Sequence, residues 1–384
     1  MNYRTHIVSS LSEIGQTDWD GLVALQDKTN PFLSYAFLHA LHESGSAAPE
    51  TGWQPQFIAL YEPDQADEAG GERLAAALPL YVKGHSYGEY VFDWAWADAY
   101  GRHGLDYYPK LLSAIPFTPV TGPRLLARDD AARAALVDVL LATQRATEVS
   151  STHILFPPDA QAQQLADAGY LLRSGVQFHW MNAGYADFDA FLATLEQKKR
   201  KNIRAERRKV REAGVSLRRV RGIDATDDDW RFFTRCYRHT YSEHYSKPYL
   251  NLDFFRRIGR TMPDNLLLVI AERDGTPIAA SLVVHDATTL YGRYWGALEH
   301  VPCLHFETAY YQPLEFCIEQ GIGVFEGGAQ GEHKMARGFL PTRTWSAHWL
   351  AHPAFADAVE NFLEREAGGI DDYIDELNDR NPFK

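Results

Sequence analysis

The sequence is poor in cysteine and has no long hydrophobic run, and both absences restrict where the protein can work. Only three of its 384 residues are cysteine, an odd number at irregular spacing that excludes a disulfide framework. No segment approaches the ~20 apolar residues of a membrane-spanning helix. The N-terminal MNYRTHIVSSLSEIG also lacks the apolar run of a signal peptide. We therefore expect a cytoplasmic protein with reduced thiols.

The motifs of several enzyme classes are also missing. The sequence contains neither the G-x-S-x-G of serine hydrolases nor a phosphate-binding Walker loop. Cys303-x-His305 and the pair His39 and His42 each lack the second pair of ligands that a structural zinc site needs. We predict no metal site and no bound cofactor.

Acidic residues outnumber basic ones, except in one segment. The formal net charge is −13, whereas general nucleic-acid binders are usually basic overall, so we expect no DNA partner. Nine of the fourteen residues from Lys198 to Arg211 are nevertheless Lys or Arg. One positive strip on an acidic protein predicts a dedicated anionic ligand.

Apolar spacing predicts that this strip is a helix, with Ile203 and Val210 as its main anchors. The alternative to ligand binding is a solvated helix with i,i+4 ion pairs such as Glu196 with Arg200. The strip has too few acidic residues to neutralise its bases in that way. We predict that it binds the anionic substrate through five residues: Arg200, Lys201, Arg204, Arg207 and Arg208.

The chain repeats one order of elements. PFLSYAFLHAL (31–41) and PYLNLDFFRRI (248–258) share a Pro, an aromatic residue, an N-cap candidate and helical apolar spacing. Three predicted strands, a helix and a further strand follow each of them. In the first half these are 56–62, 73–82, 90–96, 105–115 and 120–126, and in the second half 266–272, 277–285, 289–296, 303–321 and 323–328. The pattern predicts two homologous α/β domains.

This order resembles the acetyltransferase-like fold called GNAT. Specific motifs resemble the Fem peptidyltransferases, tandem GNAT-like enzymes that add amino acids from aminoacyl-tRNA to a cell-wall precursor. They are KKRKNIRAERRKVREAGVSLRRV (198–220), FTPVTGPRLL (117–126), HILFPPD (153–159) and VFEGGAQGEHKMARGFLP (324–341). The string FEGGAQGEHKMARGFLP with WSAHWL is similar to the uncharacterised bacterial branch called FemAB-like.

The resemblance implies an α/β (α+β) fold of two tandem GNAT-like domains, each a mixed, mostly antiparallel sheet flanked by helices. We expect them at 1–176 and 177–384, the second with the basic helix and an acidic helical tail. Two features depart from the Fem pattern. Leu125 and Leu126 stand where Fem enzymes often have Asp, and the coiled-coil arm of some members is absent.

The segment VFEGGAQGEHKMARGF contains the best candidates for catalytic residues. Its glycine pair, Gly327 and Gly328, permits close approach of a ligand to the backbone, next to Glu326. Acyl transfer to an amine needs a proton acceptor and a cation near the developing oxyanion. We predict that Glu332 or His333 takes the proton and that Lys334 and Arg337 stabilise the oxyanion. The alternative is a surface loop whose charges pair with each other.

Asp93 and Arg293 each place a charge in a predicted apolar strand. Such a charge needs a partner or a function, so we predict that both bind substrate.

The predicted function is transfer of an aminoacyl or acyl group to an amine acceptor, such as a peptidoglycan precursor. The donor would be aminoacyl-tRNA or acyl-CoA, and a transient contact with a membrane surface is expected. Against acyl-CoA, GALEHVPCL (296–304) lacks the glycine-rich pyrophosphate loop that the usual GNAT enzymes have. A non-catalytic protein that recognises peptidoglycan or RNA is the remaining alternative.

Overall fold

The computed structural model describes residues 3–64, 71–328 and 331–384. They form two compact units, which are described separately. Unit 1 comprises Met1–Gly175 with Arg343–Asp371, and unit 2 comprises Val176–Thr342 with Asp372–Lys384. The limits 1–176 and 177–384 stay a prediction about domains, although Arg343–Asp371 belongs to the first compact unit.

The elements up to the end of unit 1's first segment are as follows: β1 Arg4–Val8, α1 Gln16–Ala24, α2 Tyr35–Glu43, β2 Trp53–Pro55, β3 Phe57–Pro63, β4 Glu72–Leu78, β5 Tyr81–Lys83, α3 Trp94–Arg102, β6 Lys110–Ser113, β7 Leu126–Ala127, α4 Asp130–Ala146, β8 Ser151–Leu155, α5 Asp159–Asp167 and β9 Leu171–Met181.

The remaining elements are α6 Phe188–Thr194, α7 Gln197–Glu212, β10 Val215–Arg221, α8 Asp227–Glu243, α9 Leu252–Thr261, β11 Leu266–Arg273, β12 Thr276–His285, β13 Thr289–Ala297, α10 Leu304–Phe306, a π-helical turn Glu307–Tyr311, α11 Gln312–Gln320, β14 Val324–Glu326, a 3₁₀ segment Glu332–Arg337, β15 Leu340–Leu350 and α12 Pro353–Asp379. The chain passes between the units within β9, within β15 and within α12.

Unit 1 contains two groups of paired strands. The first group is an antiparallel sheet with the strand order β1-β3-β4-β7. In the second group, β15, β8, β6, β5 and β2 are successive neighbours. Helix α4 covers apolar residues of the first sheet with Leu136 and Leu140, which share a core with Ile58 and Leu78. This packing buries the apolar face of α4, which explains why the segment is helical.

Unit 2 is an antiparallel meander extended by shorter strands, in the order β10-β11-β12-β13-β14-β9. Strands β13 and β14 are parallel and pair only at Thr289–Tyr291 with 324–326, so β13 continues without this neighbour beyond Tyr291. Phe178 and Trp180 of β9 and Phe325 of β14 belong to one hydrophobic core. The opposite face of these two strands carries His179 and Glu326, which are paired in register.

The repeated helix starts were predicted correctly. Ser34 caps α2 by accepting the Phe37 N–H at 3.3 Å, and Asn251 caps α9 by accepting the Phe254 N–H at 2.9 Å. The second-half strands and the helix at 303–321 are confirmed as β11 to β13 and as α10 to α11. The predicted basic helix is α7.

Three element predictions for the first half are wrong, among them the strand at 120–126, of which only Leu126 lies in a strand, β7. Residues 90–96 are not a strand, because α3 begins at Trp94 and buries Trp96 and Tyr100 at i,i+4 spacing. Residues 105–115 are not a helix, because Pro109 precedes the strand β6, whose four residues are all buried. Clusters of aromatic residues made the first segment resemble a strand. Among the described residues, no helix combines the length and apolar character needed to cross a bilayer.

Candidate functional site

The predicted glycine pair forms the base of the candidate site in unit 2. Strand β14 ends at Glu326, and the Gly327 N–H donates to the Phe178 carbonyl oxygen at 3.2 Å. A Cβ on Gly327 would lie 3.0 Å from the Phe339 ring and 3.1 Å from the Lys334 side chain. Gly328 has a φ of 87°, which side-chain-bearing residues rarely adopt. A side chain at position 327 would therefore crowd Phe339 and Lys334, and one at position 328 would strain the backbone.

Lys334 is the central cation of the site. It is 2% exposed, and its Nζ donates to the Gly328 carbonyl oxygen at 2.8 Å. Burial lowers the pKa of Lys334 from 10.5 to about 8, because desolvation disfavours the charged amine. At pH 7 the amine is still mostly protonated, so it can place a poorly solvated positive charge beside a reacting group.

Arg337 is a second buried cation, held by groups from three elements. It donates to the His333 carbonyl oxygen at 2.7 Å and to the Glu206 carboxylate of α7 at 2.9 Å. Its guanidinium lies 3.4 Å from the centre of the Phe306 ring. Glu206 also accepts a hydrogen bond from the Tyr311 hydroxyl. The basic helix is thus tied directly to the predicted reacting segment.

His333 and Glu332, the two predicted proton acceptors, have different surroundings. His333 is exposed, and its Nε2 lies 3.4 Å from the Tyr310 hydroxyl. Partial burial, together with Arg337 and Lys334, lowers the pKa of His333, so its ring is neutral at pH 7.

Glu332 instead faces the C-terminal part of the chain. Its carboxylate accepts from the Tyr373 hydroxyl at 2.8 Å and pairs with Arg380 at 3.0 Å. These contacts lower the pKa of Glu332 and make it a weaker base. Of the two predicted acceptors, His333 is the better placed.

Glu326 has a neighbour that the sequence did not reveal. The Nε2 atom of His179 on β9 lies 3.9 Å from its carboxylate. Burial, reinforced by the charge of Lys334, lowers the pKa of His179 to about 4. Glu206 and Phe306 were missed as well, because their roles arise from α7 and α10 meeting the 3₁₀ segment.

The predicted anion-binding residues of α7 divide into two groups. Arg200 donates to backbone carbonyls, Arg204 pairs with Asp189 at 2.8 Å, and Arg207 pairs with Glu307 at 2.9 Å and with Glu315 at 2.6 Å. Arg207 therefore already has two acidic partners.

Lys201 and Arg208 lie on the exposed side of α7. Lys201 has no ion pair within the described ranges, and Arg208 reaches only Glu212, at 3.6 Å. A groove of ≈ 430 Å³ runs beside the helix, lined in part by Arg204, Arg208 and Arg211. This exposed side retains positive charge that a ligand can use.

Asp93 and Arg293, the two predicted strand charges, have different surroundings. The prediction that Asp93 is a charge within a strand is wrong: Asp93 belongs to unit 1, precedes α3 and pairs with buried Lys110. Arg293 is half-buried on β13, and it donates to the Tyr294 hydroxyl at 3.2 Å. Across the described ranges, no three His, Cys, Asp or Glu side chains are grouped to hold a metal ion.

Solved structures with the same fold are very different in sequence. A structure of FemX superposes with a TM-score of 0.56 at 11% identity, covering 94% of this chain and 100% of FemX. A conserved protein of unknown function from Bacteroides thetaiotaomicron gives 0.52 at 12% identity, covering 90% and 99%. L-PGS from Bacillus licheniformis gives 0.50 at 11% identity, covering 88% and 99%. The chain therefore has the tandem GNAT-like fold.

Comparison with curated proteins finds no match. Residues 10–384, however, match the FemAB-like family, which is described as acting in peptidoglycan biosynthesis or recognition. The match extends over nearly the whole chain and includes the glycine pair, the cluster around Lys334 and the basic helix. The chain therefore belongs to the FemAB-like family.

Proposed function

We propose that the protein transfers an aminoacyl group from aminoacyl-tRNA to the amine of a peptidoglycan precursor. The observation that carries this proposal is the pair of buried cations, Lys334 and Arg337, packed over a glycine turn and tied to a strongly basic helix. Acyl transfer builds negative charge on a carbonyl oxygen, and buried, preorganised cations stabilise such charge strongly. The family's description supports the acceptor class.

The chemistry balances with the side chains of this site. The acceptor amine attacks the ester carbonyl carbon, a C–N bond forms, and the carbonyl oxygen becomes an oxyanion near Lys334 and Arg337. His333, whose lowered pKa keeps it neutral, takes the proton from the nitrogen. The C–O bond to the ribose then breaks, and the proton passes to the leaving oxygen.

The pH profile of transfer follows from these pKa shifts. Activity should rise as His333 loses its proton, at a pH below its ordinary value of 6.5. It should fall as pH increases through about 8, where Lys334 becomes neutral. A Lys334→Met variant should lose the upper limb and about 10²-fold to 10³-fold in kcat, as removal of an oxyanion-stabilising group does elsewhere.

The direct test is binding of labelled aminoacyl-tRNA across a salt series, with CoA and a soluble cell-wall nucleotide precursor as competitors. Binding that weakens steeply with salt supports the proposed donor. Displacement by CoA alone, without tRNA binding, would instead support acyl-CoA as the donor. Tight tRNA or precursor binding with no transfer, in wild type and in Lys334→Met alike, would make the protein a recognition module.

A further inference from the structure

A surface segment of unit 1, residues 84–97, exposes aromatic rings and buries its charges. Apart from His85, its only acidic or basic residues are Glu89 and Asp93, which are 4% and 3% exposed. Three aromatic side chains are about half exposed instead: Tyr87 at 57%, Phe92 at 55% and Trp94 at 41%. Surface segments usually have the opposite arrangement, with charges outside and large apolar side chains inside. No step of the proposed reaction uses these rings.

Contacts beneath the segment hold its backbone in place. Three of its side chains accept hydrogen bonds from the Nζ of buried Lys110: Ser86 at 2.7 Å, Glu89 at 2.8 Å and Asp93. Trp96, in the first turn of α3, is buried as well. Rings carried on a backbone that is fixed in this way can be presented to a partner at little cost in conformational entropy.

The surface that results is neutral. Burial, together with the charge of Lys83, lowers the pKa of His85, so its ring is uncharged at pH 7. The exposed residues of 84–97, all of which the structure describes, are glycine, alanine and the three rings. They include no amide, carboxylate or ammonium group. Sugars and polar peptides are oriented by such hydrogen-bonding groups, so this surface fits an apolar partner better.

The exposed area is too small for a stable protein interface. The rings of Tyr87 and Trp94 have centroids 5.0 Å apart. Three aromatic side chains that are about half exposed present roughly 300 Å² to solvent. A stable dimer buries about 800 Å² on each partner. Two copies of a chain with net charge −13 would also repel each other.

A lipid bilayer needs no such area. Tyrosine and tryptophan place an apolar ring against the acyl chains while the O–H or N–H group stays among the polar headgroups. Phenylalanine adds apolar surface at the same depth. Because 84–97 exposes no charge, no ionic group has to lose its water when these rings enter the bilayer.

We propose that residues 84–97 dock unit 1 on a phospholipid bilayer by inserting Tyr87, Phe92 and Trp94 at the level of the headgroups. The contact is apolar, so it does not require anionic lipid. An attraction of the exposed cations of α7 to a membrane would require anionic lipid and would be screened by salt. The inference goes beyond the proposed function, and it is tested without any substrate.

The first experiment measures flotation of the full chain with vesicles of phosphatidylcholine, alone or mixed with phosphatidylglycerol. Wild type should bind phosphatidylcholine alone, at low and high salt alike. The triple variant Tyr87→Ser, Phe92→Ser and Trp94→Ser should bind about tenfold more weakly, because it loses the inserted rings.

The matched control changes three other exposed apolar residues of unit 1: Ile7→Ser, Leu25→Ser and Phe362→Ser. This variant should change vesicle binding by less than about twofold. Urea unfolding of both triple variants checks that they are folded. Three results would overturn the proposal: no binding of wild type to phosphatidylcholine, equal effects of the two variants, or binding that requires phosphatidylglycerol and is lost in salt.

The second experiment locates the contact with brominated phosphatidylcholine, whose bromine atoms quench a tryptophan that touches the acyl chains. Trp94→Phe keeps an apolar ring, so it should bind vesicles within about twofold of wild type. Quenching should nevertheless fall, because Trp94 is the one tryptophan of nine that the proposal places in the bilayer. Unchanged quenching of vesicle-bound Trp94→Phe would overturn the assignment to 84–97.

The third experiment examines a second copy of the chain as the competing partner. Sedimentation velocity without vesicles should give the same mass for wild type and for the aromatic triple variant. A wild-type dimer that the three serine substitutions abolish would show that another copy covers the rings, and it would overturn docking on a bilayer.

Discussion

Lys110 of unit 1 and Lys334 of unit 2 are both buried, and these two lysines are held in opposite ways. Lys110 in unit 1 is 0% exposed, and its Nζ donates to Ser86 at 2.7 Å, to Glu89 at 2.8 Å and to Asp93. Lys334 in unit 2 is 2% exposed, and its described hydrogen bond goes to a backbone carbonyl.

These surroundings move the two pKa values in opposite directions. Burial lowers the pKa of Lys110, but Glu89 and Asp93 together outweigh burial and raise it. Burial alone lowers the pKa of Lys334 to about 8. Removing a buried cation that is held by two carboxylates destabilises the fold, whereas a buried lysine without carboxylate partners keeps its charge for a substrate. The identity of the partners, rather than depth of burial, separates the structural lysine from the chemical one.

The largest change in unfolding free energy is expected for Lys110→Met. The substitution leaves Glu89 and Asp93 buried without their cation, and breaking such a pair typically costs about 3–5 kcal/mol. Urea unfolding should detect this loss in unit 1. Lys28→Met, at an exposed lysine of the same unit, is the control and should change the unfolding free energy by less than about 0.5 kcal/mol. Similar unfolding curves for the two variants would contradict a structural role for Lys110.

The same rule predicts different effects for two adjacent arginines of α7. Arg207→Ala leaves Glu307 and Glu315 without their shared cation and should cost about 3 kcal/mol. Arg208→Ala removes a distant, exposed pair with Glu212 and should cost less than about 0.5 kcal/mol. Urea midpoints of the two variants, measured side by side, decide this. If Arg208→Ala lowers the unfolding free energy more than Arg207→Ala does, the described ion pairs of these two arginines do not determine their contributions to stability.

Lys334→Met should have the opposite sign to Lys110→Met. The folded-state pKa of Lys334 is lowered from 10.5 to about 8, so the charged lysine destabilises the fold at pH 7. After allowing for the lost hydrogen bond to Gly328, the variant should gain up to about 2 kcal/mol.

The pH dependence of the stability difference between wild type and Lys334→Met is the control for this prediction. Between about pH 8 and 10.5 the unfolded wild type holds the Lys334 proton more tightly than the folded protein does. Wild-type stability should therefore rise over that interval relative to Lys334→Met, and the advantage of the variant should disappear. A difference that stays constant with pH would mean that the variant acts through packing rather than charge.

Local patterns in the sequence identified most of unit 2. The apolar runs at 266–272, 277–285 and 289–296 became β11 to β13, because each is long and bounded by turn residues. In unit 1 the same method assigned 90–96 and 105–115 to the wrong class. In these short, aromatic-rich segments the spacing of apolar residues does not distinguish a helix from a strand. Their buried charges are explained by the ion pairs of Lys110 with Glu89 and Asp93, which local sequence patterns do not reveal.

The site was predictable only where its residues are close in sequence. Gly327, Gly328, Lys334 and Arg337 were chosen together, and the structure groups them. The sequence assigns no role to Glu206, because nine basic residues surround it within 198–211, whereas in the structure Glu206 accepts hydrogen bonds from Arg337 and Tyr311. Side-chain contacts between distant segments decide which charges are already partnered, and a single sequence does not contain that information.

The smallest expected effect concerns ligand binding alone. Lys201 and Arg208 are exposed on α7, so replacing both by Ala should leave the unfolding free energy almost unchanged. If each contacts one phosphate of a bound RNA, the slope of log affinity against log salt should fall by about 2. The control removes the same charge at exposed Lys28 and Arg145 of unit 1. Identical salt slopes for the two double variants would show that net charge governs RNA binding. A lower slope only for the α7 variant would show that the exposed cations of α7 contact the ligand, as the comparison of Lys110 with Lys334 predicts.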